Sequence, residues 1–472
     1  MKILSITAGA AGMYCGSCAR DNALAQELIA RGHEITLVPV YTPTRTDEPN
    51  LSRHRVLFGG ISVYLQQYSP LFRKTPRILD RLWDSPRVIR ALASRALSTD
   101  PRLLGELTIS MLQGERGVLR KEFEKLLDWT RDEPVPDIIN LPNSLLIALA
   151  APLGHALKRP ICCTLQGEEL FLNGLVAPYR EQALQLIKGQ VQYVDRFIAV
   201  SEYCAVFMAD YLNIPADRIA VVPLGINMMG YESRKSVRVA PGAASGSSSR
   251  VGQKETEEFR VGYFARIAPE KGLHVLADAY VRFRRRIGRA RVRLDVAGDM
   301  GAAHRPYLDD VRRALDKTGL ADEFSYRGAL DREGKLAFLR ALDVLSVPAT
   351  YDEPKGMFLL EAMASGVPVV QPRRGAFVEI VGKTGGGLLV EPDEPESLAV
   401  ALHTLWSDRV TAASLRQRAF HGVRAHYTVA HSADRLIDVY RGLLERETTS
   451  ERNADDGLDR ARPPSGRPVS VA

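Results

Sequence analysis

The sequence predicts an α/β protein of two similar domains, each a parallel sheet covered by helices on both faces, set across a central cleft. Three observations lead there. Short apolar segments of strand length alternate with helical segments through most of the 472 residues, the pattern of parallel sheets. A Gly/Ser/Ala-rich stretch over 233–258 divides the chain into parts of similar size. With 45% hydrophobic and 25% charged residues, each part can build a full core. That composition excludes disorder through most of the chain. Five Cys, an odd count with Cys162 and Cys163 adjacent, exclude a disulfide-stapled miniprotein.

In the first part, residues 3–8 read as a buried strand running into a Gly-rich turn. A helix over about 17–30 follows, with Leu24, Leu28 and Ile29 on one face and Gly32 where a left-handed helix terminator belongs. The next strand is 34–40, and 137–141, 159–165 and 196–200 read as later ones. The stretch 64–130 departs from the alternation and reads as a helix-rich insertion. In the second part the strands are 259–264, 292–297, 324–326 and 344–347, with helices near 272–286, 306–318 and 333–341. The expected division is a first domain over 1–232, a flexible linker over 233–258 that acts as the hinge, and a second domain over 259–431. Past 445 the apolar period is lost, so 446–472 is expected to be a disordered tail.

The net charge of +7, from 63 Lys and Arg against 56 Asp and Glu, is modest for this length and gives no argument for nucleic acid. Its distribution is uneven. Between Arg73 and Arg102 stand eight basic residues against three acids, interleaved with apolar ones. Such a segment either covers a core with a solvated face or lies on anionic lipid. The N-terminus has no apolar leader before its first strand, and no uncharged apolar run approaches the ~18–20 residues of a spanning helix. The expectation is a cytoplasmic protein with peripheral contact to the inner face of the membrane through 73–102.

Chemistry concentrates in the run from Tyr351 to Pro368. A strand feeds a loop, and a helix starts near Gly356 and ends at Gly366. The free N–H groups and dipole of that helix start favour an anion. Glu361, about a turn and a half along, suits ribose hydroxyls, and Glu353, in the loop, suits the sugar beside a phosphate. A second element, from Gly262 through Arg266 and Lys271 to Gly272, places two cations where a strand gives way to a helix. They would offset the charge that grows on a departing diphosphate.

These two elements resemble the nucleotide site of the family-4 glycosyltransferases, retaining enzymes of the GT-B fold with two Rossmann-like domains facing a cleft. Gly298-Asp299, 324–328, Glu379-Ile380-Val381 and 387–392 extend the resemblance through the second part. It implies transfer of a hexosyl unit from a nucleotide diphosphate sugar to an acceptor hydroxyl. Arg266 and Lys271 would hold the diphosphate, Glu361 the ribose and Glu353 the donor sugar. Backbone N–H groups of Gly356, Met357 and Phe358 would meet sugar or phosphate, and residues before Gly328 would flank the base. Lys355 stands where the family often has an aromatic or apolar residue. In the first part the turn 9–18 resembles the family's glycine turn, so Gly16 would approach donor phosphate across the cleft. Gln166 stands where many members have a His on the donor sugar; it can hydrogen-bond a hydroxyl but cannot titrate. Glu168, Glu169, Asn140 and Asn143 are candidates for the acceptor side. In this fold class a C-terminal helix crosses back to the first domain, and 432–445 suits that role. No Asp-x-Asp arrangement for a metal is evident, and no cofactor beyond the donor is implied. The acceptor, whether glycan, lipid or small molecule, is left open. Three other readings remain: a non-catalytic sugar-nucleotide-binding protein, a nucleotide-sugar epimerase, and a dithiol redox protein on Cys15 and Cys18.

Overall fold

The computed structural model describes residues 1–9, 16–44, 46–53, 58, 63, 101–231 and 258–460. The basic segment 73–102 expected to meet a membrane, the linker 233–258 and Cys15 lie wholly or mostly outside them. The chain forms two six-stranded, all-parallel sheets. The first holds β1 (Lys2–Thr7), β2 (Glu34–Pro39), β3 (Ile138–Leu141), β4 (Ile161–Leu165), β5 (Arg196–Ala199) and β6 (Ile219–Val221) in the order β2-β1-β3-β4-β5-β6. The second holds β7 (Phe259–Phe264), β8 (Val292–Ala297), β9 (Phe324–Tyr326), β10 (Val344–Leu345), β11 (Val369–Pro372) and β12 (Gly387–Val390) in the order β12-β11-β10-β7-β8-β9. β3 and β4 are buried at every residue, as continuous apolar strands covered on both faces must be. In both sheets the order reverses beside the first strand, the geometry that opens a crevice at the strands' carboxyl ends. The part of the insertion within the described residues forms helices Pro101–Leu112 and Arg120–Asp132.

Two expected boundaries move. Leu224, Ile226 and Tyr231 are buried in the core of the second domain, so the chain has crossed before residue 232, and the first domain ends short of it. That crossing runs beside the return crossing: Ile226 N–H donates to Tyr427 O at 3.0 Å, and Val429 N–H to Ile226 O at 2.9 Å. These two crossings, bridged at Ile226 and Thr428, connect the domains. The last helix spans Val429–Arg460, so the tail expected to be disordered from 446 begins as helix. Its Ala433, Leu436, Ile437, Tyr440 and Leu443 pack on Ile3, Leu28, Ile138, Cys162 and Ile198 of the first domain.

Candidate functional site

The site is built where β10 gives way to helix Met357–Ala364. Gly356, in left-handed backbone at φ 67°, precedes the helix, whose first N–H groups have no partner within it. Just before it lies Glu353, 2% exposed. Its Oε2 accepts hydrogen bonds from Lys271 Nζ and the Tyr351 hydroxyl, and its Oε1 accepts from Lys355 N–H at 3.3 Å. Lys271 Nζ also donates to the Tyr351 oxygen at 2.6 Å, closing a triangle. Burial alone would raise the Glu353 carboxyl. The cations Lys271 and Lys355 and the donated hydrogen bonds outweigh it and hold the group at about 2. Glu353 is therefore an anion near neutrality, able to accept hydrogen bonds and unable to supply a proton. Burial, with Glu353 beside it, pushes the Tyr351 hydroxyl well above its usual range, so it stays a donor. The rear of Glu353 is closed by Gly375 (φ 52°), where a Cβ would stand 2.5 Å from Glu353 O.

The other expected residues fall at graded distances from this triangle. Phe358 offers its ring to Lys271, 5.7 Å from Nζ to centroid. Arg266 lies on the margin, its side chain 43% exposed and paired with Glu270 at 2.6 Å. Exposed pairs of this kind are weak, so the guanidinium can turn to a phosphate at little cost. Glu361 is 8% exposed and makes no bond to the triangle; its Oε1 accepts from Lys335 Nζ at 2.7 Å and from the Tyr231 hydroxyl at 3.2 Å. Gly328 sits beyond β9, where its carbonyl accepts from Gly298 N–H at 2.9 Å.

The first domain closes over the same place. A Cβ on Gly16 would lie 3.8 Å from Met357 Sδ, and Lys355 Nζ donates to Ser17 Oγ at 3.2 Å. Lys355 thus joins the domains. Ser201 Oγ donates to Pro354 O at 2.8 Å, and Pro354 packs so near Gly167 that a Cβ there would come within 2.6 Å of it. Gln166 is buried; its Nε2 donates to Pro142 O at 2.6 Å, and its Oε1 has no partner. The two neighbouring acids divide their roles. Glu168 clamps two loops, accepting from Ser144 N–H at 2.9 Å and Gln166 N–H at 2.8 Å. Glu169 is 7% exposed and its Oε2 has no partner; burial first, then Glu168 and Glu353, push its carboxyl up to about 7. Asn140 accepts from Thr164 Oγ1 at 3.3 Å, whereas Asn143 Oδ1 is unpartnered.

Tyr351, Lys335, Tyr231 and Asp47 are site residues that sequence reasoning gave no role. Tyr351 had a usable signal, an aromatic hydroxyl two positions from a buried acid. Lys335 reads in sequence as an ordinary helix cation, and only its 7% exposure distinguishes it. Cys18 is buried at 1% exposure. Among the described residues no group of three or more His, Cys, Asp or Glu is placed to hold a metal ion.

Comparison with known proteins gives the family and the fold. Residues 247–421 match the family model of glycosyl transferases group 1, and residues 108–228 that of glycosyltransferase family 4. The chain is 24% identical to an uncharacterized glycosyltransferase of Methanocaldococcus jannaschii over 66% of its own length and 76% of the relative's. It is 30% identical to the D-inositol 3-phosphate glycosyltransferase of Nocardia farcinica over 54% of each chain. Thus it spans about half the length of that relative. Among solved structures it resembles sucrose-phosphate synthase of Thermosynechococcus elongatus (TM-score 0.67, 18% identity, 94% of this chain and 100% of that one). Anabaena HepE in complex with UDP is similar at TM-score 0.63 and 18% identity, with the same coverage. These likenesses show the fold, and the two family models together match more than half of the sequence. With both sheets, the crossing helix and the motif residues in place, the chain belongs to the family-4, group 1 glycosyltransferases of the GT-B fold.

Proposed function

We propose that this glycosyltransferase moves a hexosyl unit from a nucleotide diphosphate sugar to an acceptor hydroxyl, with retention and without a metal ion. The observation that carries the reading is the Lys271–Tyr351–Glu353 triangle beside the free N–H groups of the helix at Gly356. An ammonium has three protons, and Lys271 spends two on Tyr351 and Glu353, leaving one for a phosphate oxygen. Arg266 swings in from the margin, and together with the helix start these cations offset the charge developing on the leaving diphosphate. The ionised Glu353 accepts hydroxyls of the sugar and favours positive charge at the reacting carbon. Gln166 Oε1 offers an acceptor for another sugar hydroxyl. The HepE neighbour solved with UDP-glucose, and relatives named D-inositol 3-phosphate glycosyltransferases, support a nucleotide sugar and a polyhydroxylated acceptor. No helix among the described residues is long and apolar enough to cross a membrane. Contact with a lipid surface through 73–102 belongs to the same reading, and co-sedimentation with anionic vesicles tests it.

A thermal-shift panel of UDP-, GDP- and ADP-sugars identifies the donor, because a ligand of the native state raises its apparent stability. Glu353→Gln keeps the shape and removes the charge. It should retain nucleotide binding within a few-fold and lose about 10²-fold or more in kcat, the scale seen when one electrostatic group is removed from an active site. Unchanged turnover in that variant overturns the assignment of Glu353. Nucleotide binding without turnover by the wild type, on a broad acceptor panel, selects the non-catalytic reading.

A further inference from the structure

Lys335, on helix Arg332–Ala341, is a cation at 7% exposure between two carboxylates of different domains. Its Nζ lies 2.7 Å from Glu361 Oε1 and 2.5 Å from Asp47 Oδ2. Beside it Arg332 pairs with Glu48 at 2.8 Å and donates to Met229 O at 2.7 Å. A buried cation with two anionic partners is held firmly, since loss of either strands charge in a dry place. Burial opposes the charge, and the carboxylates of Glu361 and Asp47 outweigh it, so the ammonium keeps its proton. Both protein donors that reach Glu361, Lys335 and Tyr231, go to Oε1. Among the described residues none goes to Oε2, which leaves that oxygen open to ligand hydroxyls.

We infer that Lys335 is a positioning residue for the donor ribose, fixing the Glu361 carboxylate through one oxygen while Asp47, across the domain boundary, fixes Lys335. The inference rests on Glu361 contacting the ribose, as proposed above. It gives the first domain, through the loop carrying Asp47 and Glu48, a hold on the nucleotide pocket of the second. Ribose affinity then depends on the two domains being together.

The test measures Kd for whichever of UDP, GDP and ADP binds the wild type most tightly, and for its 2′,3′-dideoxy form. Lys335→Met should weaken the ordinary nucleotide about tenfold, the size of one charge-assisted hydrogen bond. The dideoxy form should bind that variant and the wild type within about twofold of each other. Lys335→Arg should recover part of the loss. Asp47→Asn, which touches no donor atom, should weaken the ordinary nucleotide about threefold and spare the dideoxy form. Equal penalties on both nucleotides mean a general structural role and overturn the inference, as does an Asp47→Asn variant that binds as the wild type does. If Lys335→Met fails to fold, the arginine and Asp47 variants still decide. Unchanged binding by Glu361→Ala sinks the underlying ribose assignment; loss there with no effect at Lys335 sinks the positioning role alone.

Discussion

Glu353 and Glu169 lie near enough to affect each other's ionisation, yet their surroundings drive them apart. Lys271, Lys355 and Tyr351 keep Glu353 ionised down to about 2, while burial, Glu168 and Glu353 itself hold Glu169 near 7. In an unfolded chain a glutamate titrates at about 4.3, so the folded value of Glu169 is raised. The associated stability is fully present below about pH 4 and is lost as pH rises through about 7, on the order of 3 kcal/mol in all. Glu169→Gln removes that dependence. Its melting temperature should match the wild type at pH 4.5 and exceed it at pH 8; a constant gap across that range would mean the carboxyl titrates in water. The sequence made Glu168 and Glu169 equivalent candidates. They differ in which one meets the amides of Ser144 and Gln166, and that is set by loops brought together from β3 and β4. Lys271 and Glu353 were legible because strand, loop and helix order put each beyond the carboxyl end of a strand, β7 and β10, which pair in the sheet. Lys335 and Asp47 were not, since their pairing depends on how two domains meet.

At the scale of elements, the strand–loop–helix unit works because its loop is held from behind. Ala376 N–H donates to Glu353 O at 2.8 Å, and Gly375 stands where any side chain would strike the Glu353 backbone. Gly375→Ala should therefore displace Glu353 and reduce kcat by tenfold or more, beyond the ~1–2 kcal/mol that left-handed backbone costs a residue with a Cβ. Gly319→Ala is the control. It has φ 73° and no atom within 4 Å of its Cβ position, so it should carry the backbone cost and leave turnover unchanged. Equal kinetic effects in the two variants would remove the buttress from the mechanism. The long strands of each sheet were readable from their apolar runs, and 259–264 and 292–297 coincide with β7 and β8. The edge strand β6 and the strands β11 and β12 were missed. They have three or four residues, too few to show a period of their own. Shortness alone does not explain this, since β9 and β10, with three and two residues, were read, and β11 is buried throughout.

Across the whole molecule, one covalent chain makes each domain depend on the other. The helix Val429–Arg460 follows the second domain in sequence and supplies part of the core of the first. Arg31 reinforces this by donating to Ala430 O at 3.0 Å and pairing with Asp434, and Ser432 Oγ donates to Pro223 O at 2.6 Å. Tyr440, 1% exposed, lies among Ile3, Ile138, Cys162 and Ile198, residues of the first sheet's buried face. Truncation of a large buried ring costs about 3–5 kcal/mol, so Tyr440→Ala should destabilise the first domain although it lies more than 200 residues downstream of that domain's last strand. In a calorimetric scan of the full chain the variant should show the first domain melting early. A nucleotide bound in the second domain should raise the later transition most and the early one by less, through the Asp47–Lys335 contact. A Tyr440→Ala protein that melts with the wild-type profile would mean the helix merely rests on the first sheet, and the two domains would then be stable without their shared crossing.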